Sequence, residues 1–220
     1  MNKLKTIKGG VTAAKGFRAS SVFAGIKPSN KSRADMALVA SEVPAVAAGV
    51  FTTNRVKAAP VRVSRAHLRA PQACAVLLNS GNANACTGPC GIAAAKSLAA
   101  SLADVLDCGV RRVLVCSTGR IGVPLPVEKM ADKLPELAAR LSVEGGEDAA
   151  QAIMTSDTFA KEFAVEVRAP GGAFRVGGMA KGAGMIDPNM ATMLCLVTTD
   201  AKISKGTLQN ALHSAVERSF

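Results

Sequence analysis

One stretch of this sequence carries the residue types for self-directed acyl chemistry. Residues 179–194 read Met-Ala-Lys-Gly-Ala-Gly-Met-Ile-Asp-Pro-Asn-Met-Ala-Thr-Met-Leu. The glycines and Pro188-Asn189 build a rigid turn, the small Ala191 follows, and Thr192 opens an apolar run. A threonine after a strained turn can attack the preceding carbonyl with its own Oγ. This N→O acyl shift gives an ester that water hydrolyses, so that one chain ends at Ala191 and another begins at Thr192. The new α-amine, with an ordinary pKa of about 8, can then act as base for the hydroxyl of the same residue. Such a site needs no histidine, which suits a chain with only 2 of them. Taken locally, a plain turn followed by a β-favouring threonine accounts for the same residues and outweighs the chemistry.

A nucleophilic threonine needs donors for the oxyanion it creates. Ser117-Thr118-Gly119 directly follows a β-branched run, and the Thr118 hydroxyl and Gly119 N–H could point at one oxygen. A turn with local hydroxyl bonds explains this motif equally well. Thr155, in the polar cluster Met154-Thr155-Ser156-Asp157-Thr158, could bond a substrate amide or carboxylate, and Lys181 could anchor a carboxylate. A helix-terminating turn and a solvated lysine are the plain alternatives. The loop Asn79-Ser80-Gly81-Asn82-Ala83-Asn84-Ala85-Cys86-Thr87-Gly88 is rich in residues that tolerate left-handed backbone and make backbone-rich ligand contacts.

The elements that must hold these residues read as a mixture. Apolar and β-branched runs predict strands at 37–43, 48–53, 61–64, 75–79 and 112–116, and again at 162–168, 174–179 and 193–198. Ile92, Ala95, Leu98, Leu102 and Leu106 share one face of a helix over 91–106. Residues 127–141 and 147–153 also read as helical, with Pro135 breaking the first of them. Pro170-Gly171-Gly172 predicts a hairpin, and Ser204 caps a last helix over 205–218. Strands and helices do not alternate cleanly, so the expected fold is a layered α+β sandwich rather than a doubly wound parallel sheet.

Composition narrows the function classes. The 220 residues are 49% apolar and 20% charged, with 7 Phe and neither Trp nor Tyr. That excludes disorder and fibrous classes. The net charge of +11 invites a nucleic-acid reading. The cations are dispersed, however, and base-stacking aromatics are scarce, so a field drawing in anionic metabolites is preferred to a nucleic-acid groove. Cys86 and Cys90 form a C-x3-C pair that no second pair or nearby histidine completes, so no metal site is expected. Residues 1–17 lack the apolar core of a signal peptide and no stretch reads as a membrane span, so a cytoplasmic location is expected.

Together these segments resemble the ornithine acetyltransferases of arginine biosynthesis, which are bifunctional glutamate N-acetyltransferases/amino-acid acetyltransferases. The resemblance runs from near Gly9 to Phe220. It is strongest at Gly49-Val50-Phe51-Thr52-Thr53-Asn54, the Asn79 loop, Ser117-Thr118-Gly119 and the stretch from Lys181 to Leu194. It implies self-cleavage between Ala191 and Thr192, with Thr192 as the acetyl-carrying nucleophile. It also implies Thr118 and Gly119 as the oxyanion pair, and Thr155, Lys181 and Thr192 as substrate contacts. The implied reaction is ping-pong, moving acetyl from N2-acetyl-L-ornithine to L-glutamate without a cofactor, and bifunctional members also accept acetyl-CoA. The implied fold is a sandwich layered like the N-terminal-nucleophile hydrolases but with its own topology. The implied assembly is a heterotetramer of two first (α) and two second (β) chains.

On this pattern residues 1–191 are a first chain and 192–220 the start of a second, which in the family is about as long as the first. The expectation is therefore an incomplete sandwich, with exposed core surface and little activity on its own. Asp187, in the turn before the cleavage site, departs from the family pattern. The other readings are a self-cleaving N-terminal-nucleophile amidase or aminopeptidase, in which water replaces glutamate, and a fragment with no function.

Overall fold

A computed structural model describes residues 3–170, 172–184 and 193–219. Two four-stranded sheets stack on one another. The first has the order β2-β3-β4-β5, with β2 (Phe17–Val22), β3 (Met36–Ala45), β4 (Ala73–Asn79) and β5 (Val113–Ser117). The second has the order β1-β6-β7-β8, with β1 (Lys3–Ile7), β6 (Lys161–Ala169), β7 (Gly172–Lys181) and β8 (Leu194–Thr199). All its neighbours are antiparallel.

The first sheet is buried on both faces, which is why its strands read as continuous apolar runs. In β3, Met36 and Leu38 face a core shared with four helices: α1 (Ala59–His67), α2 (Gly88–Val105), α3 (Val127–Asp132) and α4 (Leu134–Ala139). Ala37 and Val39 face the second core, between the sheets, where Leu78, Met179 and α5 (Gly146–Ala152) meet. β4 and β5 are the one parallel pair in that sheet, joined through α2, and their last residues Asn79 and Ser117 lie in register. The second sheet turns its other face outward, where Leu4, Phe163 and Val197 are 70%, 63% and 49% exposed. This layering is the expected α+β sandwich, and apolar surface lies open on it.

Most predicted elements form. The break expected at Pro135 is present: the helix stops at Asp132 and restarts as α4, with Pro135 in its first turn, as its fixed φ and missing N–H allow. The Ser204 hydroxyl accepts from Thr207 N and caps α6 (Lys205–Glu217). Two predicted strands do not form. Residues 61–64 lie inside α1, where Pro60 sits in the first turn and Ala59, Pro60, Val63 and Ser64 make one buried helical face. Residues 48–53 take irregular backbone, and Gly49 exchanges hydrogen bonds with the Gln209 side chain in α6 rather than with a strand. Strand-favouring residues do not make a strand without a ladder partner. Two strands, β1 and β2, were not predicted. The β2 sequence Phe-Arg-Ala-Ser-Ser-Val is too small and polar to announce that Ala19 and Ser20 are buried. Among the described residues no helix is long and apolar enough to cross a membrane.

Candidate active site

The parallel pair β4 and β5 delivers two loops to one end of the sandwich. They interlock through their backbones: Thr118 N donates to Asn79 O (2.9 Å), Arg120 N to Gly81 O (2.9 Å), Ala83 N to Arg120 O (2.9 Å) and Gly122 N to Ala85 O (2.8 Å). Buried asparagines satisfy the remaining carbonyls. Asn79 Nδ2 donates to Asn82 O at 3.0 Å, and Asn82 Nδ2 to Pro124 O at 2.9 Å. Arg120 closes the pair with Nε and Nη2 on Asn82 Oδ1, at 3.0 and 2.8 Å. The sequence marked this loop as unusual, and in the structure it is the bed on which Ser117-Thr118-Gly119 lies.

Thr118 is buried there at 6% exposure. Gly119 has φ +129° and is pressed against the Gly81 peptide, so that a Cβ on it would lie 2.3 Å from the Gly81 carbonyl carbon and oxygen. Only glycine fits this turn. Cys116, just before it, is pushed up to about 11 by burial. It is therefore a neutral thiol and not a nucleophile at neutral pH.

Thr155 and Lys181 are brought together by a different route. α5 ends beside the first loop, where Ser80 Oγ donates to Ala152 O at 2.7 Å. The turn that follows carries Thr155 and Asp157, and Arg33 Nη2 holds its Met154 carbonyl at 2.8 Å. β7 ends alongside at Lys181, which is 4% exposed. Desolvation lowers the Lys181 pKa, the charge of Asp157 opposes that, and Lys161 adds to the lowering. The Asp157 side chain is itself shielded from solvent and accepts from Lys161 Nζ (2.6 Å), Gly182 N (2.8 Å) and Thr155 N (3.1 Å). Burial pushes its carboxyl up. The Lys161 ammonium, the two amides and the charge of Lys181 more than reverse this and hold it well below the usual carboxylate range.

These bonds have a consequence for stability. The folded Asp157 pKa lies below its ordinary value of 3.8, so the unfolded chain takes up a proton first as pH falls. The stabilisation is complete above about pH 4 and drains away below it. Urea unfolding at pH 7 and pH 3 should therefore show a larger acid loss in the wild type than in Asp157→Asn.

Three of the predicted site residues, Thr118, Gly119 and Thr155, thus belong to connected loops, and a fourth, Lys181, ends β7 beside them. Ala191, Thr192 and Asp187 lie outside the described residues, which resume at Met193, just before β8. Lys181 and Leu194, on either side of that gap, pair across β7 and β8. The sequence reading missed Asp157 as a member of the site. The available signal was a carboxylate four residues before a lysine.

Comparison with known proteins gives a consistent result. Residues 18–220 match the ArgJ family. The arginine biosynthesis bifunctional protein ArgJ of Caldanaerobacter subterraneus is 51% identical over 217 residues, covering 99% of this chain and 53% of that protein. The protein of the same name from Thermosynechococcus vestitus is 51% identical over 221 residues, covering 52% of its own length. The chain thus spans about half the length of these curated relatives. Among solved structures, a chain of the Bacillus halodurans ArgJ superposes with a TM-score of 0.81 at 36% identity, over 87% of this chain and 100% of that one. A chain of the Mycobacterium tuberculosis ornithine acetyltransferase, solved with ornithine, superposes with a TM-score of 0.76 at 43% identity, over 84% and 98%.

Proposed function

The chain belongs to the ArgJ family, and on that premise we propose that it forms the first chain, and the beginning of the second, of a self-cleaving acetyltransferase. The enzyme moves acetyl from N2-acetyl-L-ornithine to L-glutamate. The observation that carries this reading is the 43% identity to a chain solved with ornithine, over nearly all of that chain. The Bacillus halodurans chain is matched in full by 87% of this one, and 191 of 220 residues is about that share. A division into 1–191 and 192–220 accords with it.

The chemistry then runs through these residues in order. Thr192 Oγ attacks the Ala191 carbonyl, the C–N bond breaks to free the Thr192 amine, and water hydrolyses the resulting ester. Ester hydrolysis also releases the Thr192 hydroxyl and the Ala191 carboxylate, and the amine, already free once the C–N bond has broken, takes the Oγ proton as that hydroxyl attacks the acetyl carbonyl of acetylornithine. The Gly119 N–H and the Thr118 hydroxyl receive the oxyanion. Ornithine leaves with the proton, and acetyl remains as an ester on Thr192. The glutamate amine attacks that ester through the same oxyanion site, giving N-acetylglutamate. Thr155 and the Lys181 ammonium hold the amino-acid substrate by its polar groups, and the net charge of +11 favours the approach of carboxylates. No cofactor or metal takes part in these steps, and acetyl-CoA serves as an alternative donor. The working assembly pairs two first with two second chains in the cytoplasm.

Because the relatives are about twice as long, the test supplies what they carry beyond the match. The chain is produced with and without the C-terminal half of the Caldanaerobacter subterraneus relative as a separate polypeptide. Intact mass should show pieces of 191 and 29 residues. Formation of N-acetylglutamate should require both polypeptides, acetylornithine and glutamate. Release of acetate at a rate indifferent to glutamate would overturn the transferase in favour of an amidase.

A further inference from the structure

Asp157 takes no part in those steps, yet its side chain accepts three hydrogen bonds within the site. The geometry points to Asp157 as a positioning residue: its one carboxylate clamps the Thr155 amide and the Gly182 amide, fixing the substrate-contact turn against the segment that leads to the scissile bond. This assignment rests on the self-cleaving acetyltransferase proposal.

The arrangement calls for a carboxylate. Gly182 N and Lys161 Nζ both donate to Oδ1, and Thr155 N donates to Oδ2. An asparagine would offer one accepting oxygen and turn N–H donors toward another donor. The two turns also lie close together beyond the carboxylate, since a Cβ added to Gly184 would come within 3.7 Å of Ser156 Oγ. On its far side the Thr155 turn follows α5, whose end is tied to the loop under Thr118 through Ser80. Asp157 is therefore the link that carries the register of the oxyanion turn across to Lys181 and to the residues that follow it. Its charge also stands against that of the buried Lys181 ammonium.

The test separates this role from plain stability. Wild type, Asp157→Asn and Lys161→Met are compared by thermal melting, by amide hydrogen exchange and by the rate of the split after residue 191. Lys161→Met loses the same ion pair but keeps both amide bonds. A hydrogen bond to a buried charge is worth enough for about tenfold or more in rate or exchange. Asp157→Asn should speed exchange at Thr155 and Gly182 and slow the split by at least about that factor, while Lys161→Met changes each by less than about twofold. Where Asp157→Asn does not fold, Asp157→Glu replaces it; the longer carboxylate should slow the split at an unchanged melting temperature. Wild-type exchange and splitting in the Asp157 variants would overturn the assignment. So would equal slowing by Lys161→Met. If the wild type does not split even with the relative's C-terminal half supplied, the self-cleaving acetyltransferase proposal fails, and exchange at the two amides alone decides whether Asp157 is the clamp.

Discussion

Thr192→Ala should leave a single uncut chain and abolish acetyl transfer. In the proposed reaction the Oγ does two jobs, first on the Ala191 carbonyl and then on the substrate. Alanine removes both at once, and it also keeps the α-amine locked in a peptide bond, so the base is lost with the nucleophile. Removing a nucleophile that works as a unit with its base costs on the order of 10⁶-fold in rate. The nearest thiol to the oxyanion turn, Cys116, is pushed up to about 11 by burial and stays protonated at neutral pH. Thr192→Ser keeps Oγ and should still split, at a reduced rate. Intact mass over time, read beside melting temperature, checks both variants. A split at the same bond in Thr192→Ala, with normal melting, would place the nucleophile elsewhere.

The sequence was most readable where one element met one environment. The apolar face of α2 is buried against one layer and the unbroken apolar run of β4 is buried on both faces, so the apolar pattern alone located them. It failed where the environment came from afar. Val61 to Ser64 look like a strand in a four-residue window, and only the turn begun at Pro60 makes them a helix face. Residues 48–53 have strand-favouring side chains and bond to a helix instead. The site divides in the same way. Thr118 and Gly119 were visible as a motif, but the reason for glycine at 119 is the Gly81 peptide in another loop. Asp157 was visible only as one polar residue in a cluster, because its defining partner, Gly182, lies 25 residues along the chain.

That contact makes Gly119→Ala the most damaging small substitution expected in the described part of the site. The new Cβ would lie 2.3 Å from the Gly81 carbonyl carbon and oxygen and 2.8 Å from Asn82 N. These are backbone atoms and cannot rotate aside. Gly81 cannot simply retreat, since Ile26 and the Lys27 amide crowd its other side. The turn must open instead, stretching the Thr118–Asn79 and Arg120–Gly81 hydrogen bonds that seat it. Strain of this kind costs about 2–4 kcal/mol, or roughly 4–16 °C in melting temperature for a chain of this size. On the proposed reaction the catalytic loss should be larger than the stability loss implies, because the Gly119 amide would move away from the oxyanion. Losing one such donor slows turnover by about 10²–10³-fold, with KM for acetylornithine little changed. Gly122→Ala is the control. Its φ of +78° is also left-handed, but a Cβ there meets nothing within 4 Å. It should cost about 1 kcal/mol and leave both the split and the transfer near wild type. If both variants lose the same activity, backbone strain alone explains the effect. A fast Gly119→Ala would remove this turn from the oxyanion site.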